Sequence, residues 1–304
     1  MFNTILLALG ITLMYSTPLA LAAQGSVMSE ASGVVNVGIE GMMTVGAFFG
    51  ALIGERTGNP WFGFLCGGLA GAVFGLIHAF ASVTCRADQT VTGIAMNLVG
   101  PGVSLFLCRL FYNGGVQSEP VKNKIPNIFS KNVLKGAASN LNVSWTTLIA
   151  LLAAIVIWYI FYHTTWGLHI RAVGEHPAAA DTLGVNVYKV RYICVIMSGF
   201  LAGLGGASMT LSVVSQFSPT AISGQGFIAI AAVIFGKWTP QGGYLAALLF
   251  GFFTALVVLL GGTAIPIEIL SMLPYIFTIV ILVLFVGKAA APKANGKPYI
   301  KGTR

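Results

Sequence analysis

Residues able to do chemistry are sparse in this sequence, and their spacing points to binding rather than catalysis. No GxxxxGK[ST] run is present to cradle a phosphate, and neither HExxH nor GxSxG occurs. The titratable groups near apolar runs are scattered, and no spacing sets a nucleophile within reach of a base. Cys66, Cys85, Cys108 and Cys194 form no CxxC pair, so neither a disulfide framework nor a metal site is expected. What remains is a set of polar side chains bordering long apolar runs. A charge inserted at the centre of a bilayer costs about 2.5–3.5 kcal/mol, so one placed there has a partner or a role. Glu40, in NVGIEGMM, either lines a solute path or fixes a helix end. Asn36 and Asn97 either hydrogen-bond a polar solute or hold helices together. Ser215, Gln216, Ser218, Thr220, Ser223 and Gln225 cluster where two apolar segments meet, as an outer gate or a docking contact for a binding protein. A path bordered by Asn, Gln, Ser and Thr suits a neutral polar solute, whereas a branched-chain amino acid asks for a charged or dipolar grip.

The elements that must position these groups are membrane spans. Of 304 residues, 56% are hydrophobic and only 8% charged, against about 25% charged in a soluble domain. Gly, at 38 residues, is more frequent in transmembrane than in soluble helices. At roughly 20 apolar residues per crossing, the chain has room for about nine spans, within a range of about eight to ten. The expected fold is all-α: a polytopic transmembrane helical bundle forming one domain over 1–287, with a basic tail over 288–304. Met1–Ala23 ends like a signal peptide but lacks the basic n-region, and another span follows at once; it reads as the first span. Ser26–Asn36 is then a short polar interval. Further spans are expected at Val37–Ile53, Trp61–Ala81, Val91–Tyr112 (interrupted by Gly100-Pro101-Gly102), Trp145–His163, Tyr192–Val214, Gly243–Leu260 and Ile269–Gly287. Phe227–Gly236 is too short to cross alone. It is either extended from Ser223 or a broken or re-entrant helix buried in protein.

Charge sets the orientation. The net charge of +8 is not interleaved with aromatics, which argues against nucleic acid as a partner. Lys288, Lys293, Lys297, Lys301 and Arg304 crowd the tail, and Arg171, Lys189 and Arg191 flank the interval 167–191, as cytoplasmic anchors. The tail, that interval, Lys237 and the Arg86 loop then face the cytoplasm, and the N-terminus faces out. The polar segment 113–142, with Lys122, Lys124, Lys131 and Lys135, comes out external against its own charge. His78 and His163 lie at span ends and read as interfacial. Arg109 snorkels near the outer end of its span, and Glu268 faces the outer interface.

The interval Gly167–Arg191, GLHIRAVGEHPAAADTLGVNVYKVR, carries the densest local signals. Gly174-Glu175-His176-Pro177 reads as a turn leading into a helix, with Pro177 in its first turn and Glu175 near its N-terminus. AAADTL continues the helix and Gly184 ends it. Val185-Asn186-Val187 returns the chain to the membrane. The product is a short amphipathic helix lying across the cytoplasmic face.

The pattern GEHPAAADTLGVNVYKVR resembles the coupling segment of ATP-binding-cassette importer permeases of the ribose/galactose and branched-chain amino acid type, matching at Glu175, Ala179, Ala180, Gly184, Asn186 and Lys189. ICVIMSGFLAGLGGASMTLSV resembles that family's small-residue span, through Gly199, Gly203, Gly205, Gly206 and Ala207. SPTAISGQGFIAIAAVIFGKWTPQGG resembles its later Gly-rich stretch. SEASGVVNVGIEGMM resembles the basic-membrane-protein-associated nucleoside and simple-sugar subgroup, with Ala31 where that subgroup has Arg. The resemblance spans about Ser26–Gly287 and implies a type II-like importer permease in a bacterial cytoplasmic membrane. It implies that His176–Gly184 docks on an ATPase subunit, with Gly174, Glu175, His176, Ala179, Ala180, Gly184 and Asn186 as the coupling set. The path would run past Asn36, Glu40, Asn97, Gln216, Ser223 and Gln225. ATP and Mg would belong to the ATPase, leaving this chain without a cofactor. A second, non-identical permease (a heterodimer rather than a homodimer) and an external substrate-binding protein complete the implied assembly. The implied cargo is a nucleoside or simple sugar. The alternatives are a branched-chain amino acid permease and a stand-alone ion-coupled secondary transporter, which would need no ATPase.

Overall fold

The computed structural model describes residues 2–128, 143–261, 269–270, 272–285 and 291–302. Lys131, Lys135, Glu268, Lys288, Arg304, the later part of the 113–142 segment and the end of the last span at Gly287 lie outside them. Helices dominate, in the order α1 (Phe2–Ala31), α2 (Ile39–Thr57), α3 (Pro60–Ala79), α4 (Gln89–Phe111), α5 (Trp145–His163), α6 (Thr165–Glu175), α7 (Pro177–Thr182), α8 (Val187–Ser208), α9 (Gln225–Phe235), α10 (Pro240–Leu260) and α11 (Leu273–Phe285). α3 and α8 each close in a π-helical turn, at Phe80–Thr84 and Met209–Val214. Among the described residues, six helices are long and apolar enough to cross a membrane: Ile5–Ala31, Pro60–Thr84, Gln89–Phe111, Trp145–His163, Val187–Val214 and Pro240–Leu260. α9 is apolar but shorter.

Helix starts follow local side-chain chemistry. Asn59 accepts from the Trp61 and Phe62 amides ahead of Pro60, Asp88 from Thr90 and Val91, Asn186 from Lys189, and Thr239 from Gly242 ahead of Pro240. Each satisfies amides that the first helical turn leaves unpaired.

α8 is the axis of the bundle, packed on α1, α2 and α3. Its small residues permit this. A Cβ added at Gly203 would lie 2.4 Å from the Gly67 carbonyl, and one at Gly206 would lie 1.8 Å from the Met43 carbonyl. Only backbones without side chains between them approach so closely.

The packing defines two ends. At one lie the end of α1, the α3–α4 connection, α6, α7, the α9–α10 turn and the segment 291–302. His78 Nε2 and the Val35 carbonyl are 3.1 Å apart there, and the Val35 amide donates to Gln89. At the other lie the end of α2 and the segment 113–128, with Asn123 on the Gly58 carbonyl and Val121 and Ile125 amides on Ser215 and Leu211 carbonyls.

Several expectations are corrected. The interval Ser26–Asn36 is not a loop between spans. α1 runs through it to Ala31, because its polar groups are buried and satisfied: Ser26 donates to Glu30, Ser29 to the Val34 carbonyl and Ser32 to the Ser29 carbonyl. Gly100-Pro101-Gly102 does not interrupt α4, which is continuous through Pro101. Gly100 there packs on the Gly41 backbone, and an apolar surround favours keeping backbone hydrogen bonds internal. Gly174-Glu175 is not a turn but the last turn of α6, with the break at His176. His78 and Arg191 are not interfacial: both are buried, at 0% and 1% exposure. The Arg191 head is drawn in by the Lys297 carbonyl, 3.0 Å from Nη1. His163 is exposed and stacked on Tyr159.

Candidate coupling face and solute path

α6 and α7 form a helix–break–helix lying on one end of the bundle. Thr164 caps α6 by accepting from the Gly167 amide. Gly167, Ile170, Val173 and Gly174 are its buried stripe, at the spacing of one helical face. A Cβ on Gly174 would lie 2.1 Å from the Ala31 carbonyl, so Gly here lets α6 rest on the end of α1. Pro177 opens α7, and Gly184 closes it at φ +85°. The Gly184 and Val185 amides bond the Asp181 and Ala180 carbonyls, as at a left-handed helix end.

Of the expected coupling residues, Gly174 and Ala180 face inward and seat the helices. Glu175, His176, Ala179 and Gly184 face out, and Asn186 caps α8. Leu183, which sequence reasoning passed over, is 84% exposed at the tip. It borders a groove of ≈ 290 Å³ with Trp166, His169, Gly184, Asn186 and Lys189.

The interior polar residues divide into three groups. Glu40 sits at the start of α2 and receives the Gly224 amide at 2.7 Å on Oε1 and the Gly226 amide at 2.6 Å on Oε2. It therefore caps α9 from another helix, setting a carboxylate against the positive end of the helix dipole. Beside it is a cavity of ≈ 160 Å³ lined by Tyr15, Leu19, Ser223, Gln225, Thr254 and Tyr275, among others. Gln225 Oε1 is buried without a hydrogen-bond partner in the chain. The structure thus brings Glu40, Ser223 and Gln225 together. Asn97 forms the second group: it accepts from the Gly41 amide and donates to the Val37 carbonyl, both at 2.9 Å. Asn36 lies alongside, fully buried, and donates to Ser198 at 2.9 Å. In this conformation both Asn side chains hold helices to each other. Gln216 stands apart, 3.4 Å from Gln117 at the end bearing segment 113–128.

The residue least foreseen is Glu30. It is 5% exposed and meets three neutral donors: Ser26 at 3.1 Å, Asn295 at 3.4 Å and the Trp238 indole at 2.5 Å. The signal was present as a charge next to an apolar run.

Residues 5–287 match the family model described as branched-chain amino acid transport system / permease component. The chain belongs to this permease family. It is 46% identical over 310 residues to the guanosine ABC transporter permease protein NupQ of Bacillus subtilis (strain 168), covering 96% of each. It is 43% identical over 322 residues to the nucleoside ABC transporter permease protein NupC of Lactococcus lactis subsp. cremoris (strain MG1363), covering 98% of each. A solved inward-facing metal-chelate type ABC transporter has a similar fold, with a TM-score of 0.51 at 16% identity, covering 90% of this chain and 84% of that one. This permease is accordingly a membrane transport subunit.

Proposed function

We propose that this permease carries nucleosides inward across a bacterial cytoplasmic membrane, driven by ATP that a separate subunit hydrolyses. The observation that carries the reading is the near full-length identity to guanosine and nucleoside permeases, at 46% and 43%. The site chemistry agrees with it. The cavity pairs aromatic rings of Tyr15 and Tyr275 with uncharged polar groups of Ser223, Gln225 and Thr254. A nucleoside offers a flat base to rings and hydroxyls to amides.

The α6–α7 face would meet the ATPase, with Glu175, His176, Ala179, Leu183 and Gly184 at the contact. The cavity opens at Tyr275, which is 46% exposed. A second, non-identical permease would complete the path there, and an external binding protein would deliver solute at the opposite end. On this reading, the six long helices, α2, the 215–235 stretch and α11 make nine crossings. The N-terminus is outside, and α7 and 291–302 are in the cytoplasm.

The test is uptake by the assembled transporter in proteoliposomes. Labelled guanosine should enter only with ATP inside and the ATPase present. Entry of leucine but not guanosine would refute the substrate, and undiminished uptake without the ATPase would refute the mechanism.

A further inference from the structure

α9 is an 11-residue rod, roughly 16 Å long, and a carboxylate holds each end. At its start Glu40 receives the Gly224 and Gly226 amides beside the cavity. Just past its end, Trp238 donates its indole N–H to Glu30. The turn between α9 and α10 carries Lys237 and Trp238 at φ +51° and +55°. Two consecutive non-glycine residues in the left-handed region are strained and need outside support. The Glu30–Trp238 bond supplies it.

Glu30 also reaches the coupling face. Its third donor, Asn295, belongs to segment 291–302, which lies across that end of the bundle. The Ala294 amide bonds the Gly174 carbonyl of α6 at 2.8 Å. The Lys297 carbonyl takes buried Arg191 of α8. Tyr299 packs its ring 5.6 Å from Tyr188, and Lys301 Nζ lies 4.0 Å from Asp181 Oδ1 of α7. The segment expected only as a basic tail is thus a strap. Its ends grip α6 and α7, and its middle leads to Glu30.

We propose that Glu30 is the positioning residue that transmits movement of the coupling helix to α9, with segment 291–302 as the strap between them. A shift of α7 pulls on Lys301, and the strap conveys it through Asn295 to the Glu30 carboxyl group. Glu30 in turn moves Trp238 and the far end of the rod whose near end borders the cavity. The inference rests on the importer reading above, since it needs α7 to be moved by an ATPase.

The experiment compares solute moved per ATP hydrolysed in the complete reconstituted transporter. Trp238→Phe keeps a ring and removes one N–H; Glu30→Gln keeps shape and turns one acceptor oxygen into an NH₂ donor. In both, ATP hydrolysis by the assembled complex should stay within about twofold of wild type. The transport ratio should fall about tenfold, the factor that one hydrogen bond carries at the upper end of its usual range. A third variant, Asn295→Leu, which removes only the segment's bond to Glu30, should show the same split. A role in stability alone would lower complex yield, hydrolysis and uptake together and leave the ratio unchanged, which would overturn the proposal. Absence of ATP-driven uptake in the wild-type complex would instead overturn the importer reading, and this inference with it.

Discussion

Glu40→Gln isolates the bond between α2 and α9. The wild-type carboxylate accepts two backbone amides, at 2.7 Å and 2.6 Å, at the first turn of α9. Gln keeps one acceptor oxygen and turns an NH₂ toward the other amide. One charge-assisted hydrogen bond is lost, worth about 1.5–3 kcal/mol. The attraction between a carboxylate and the helix N-terminus goes too, at about 0.3–1 kcal/mol. The sum is about 2–4 kcal/mol, or a Tm lower by about 4–8 °C for a chain of this size. Thermal unfolding of the purified transporter reads this directly, and hydrogen exchange at the Gly226 amide localises it. Glu40→Asp, which keeps the charge on a shorter arm, should fall between wild type and Gln. A Glu40→Gln protein melting within about 1 °C of wild type but taking up solute with weakened affinity would refute the cap. Glu40 would then act on the solute rather than on α9.

Four other outcomes follow from the packing. Gly206→Val should abolish folded protein in membranes, since even a Cβ would sit 1.8 Å from the Met43 carbonyl; size-exclusion profiles in detergent check it. Gly102→Ala should be tolerated and raise stability by about 0.5–1 kcal/mol, because nothing lies within 4 Å of the new Cβ; a melting curve checks it. Leu183→Asp should leave the permease folded and cut its capture of the ATPase in co-purification, because Leu183 is 84% exposed on the proposed docking tip. Asn97→Ala should cost about 1–3 kcal/mol by freeing the Gly41 amide and Val37 carbonyl, read as a lower Tm with ATPase capture unchanged.

Much of the site was visible as local pattern. Pro177 and Gly184 bound α7 because each residue type carries its own backbone preference, which needs no tertiary partner. The clustering of Ser223 and Gln225 with Glu40 was less visible. Glu40 meets Gly224 and Gly226, on either side of Gln225, only because α9 begins inside the bundle, where its amides need an acceptor and Glu40 supplies one. The role of Glu30 was hidden for a related reason. In a list of residues, Ser26, Ser29, Glu30 and Ser32 look like a solvated loop. Folded, they satisfy one another and continue a helix, as far as Ala31, that composition alone would end at Ala23.

By itself, the sequence determined that this is an all-helical membrane chain and where most helices begin and end. It also carried the motifs of its permease family. These follow from hydropathy, capping residues and glycine or proline placement, all of which act over a few residues. Only the tertiary structure decided that Arg191 is buried rather than anchored, that Asn36 and Asn97 spend their side chains on other elements, and that segment 291–302 packs on α6 and α8. In each case the deciding partner is distant in the chain: Lys297 for Arg191, Ser198 for Asn36 and Gly174 for Ala294. A polar group in an apolar interior takes whatever donor or acceptor the packing brings to it, and packing is a property of the whole bundle.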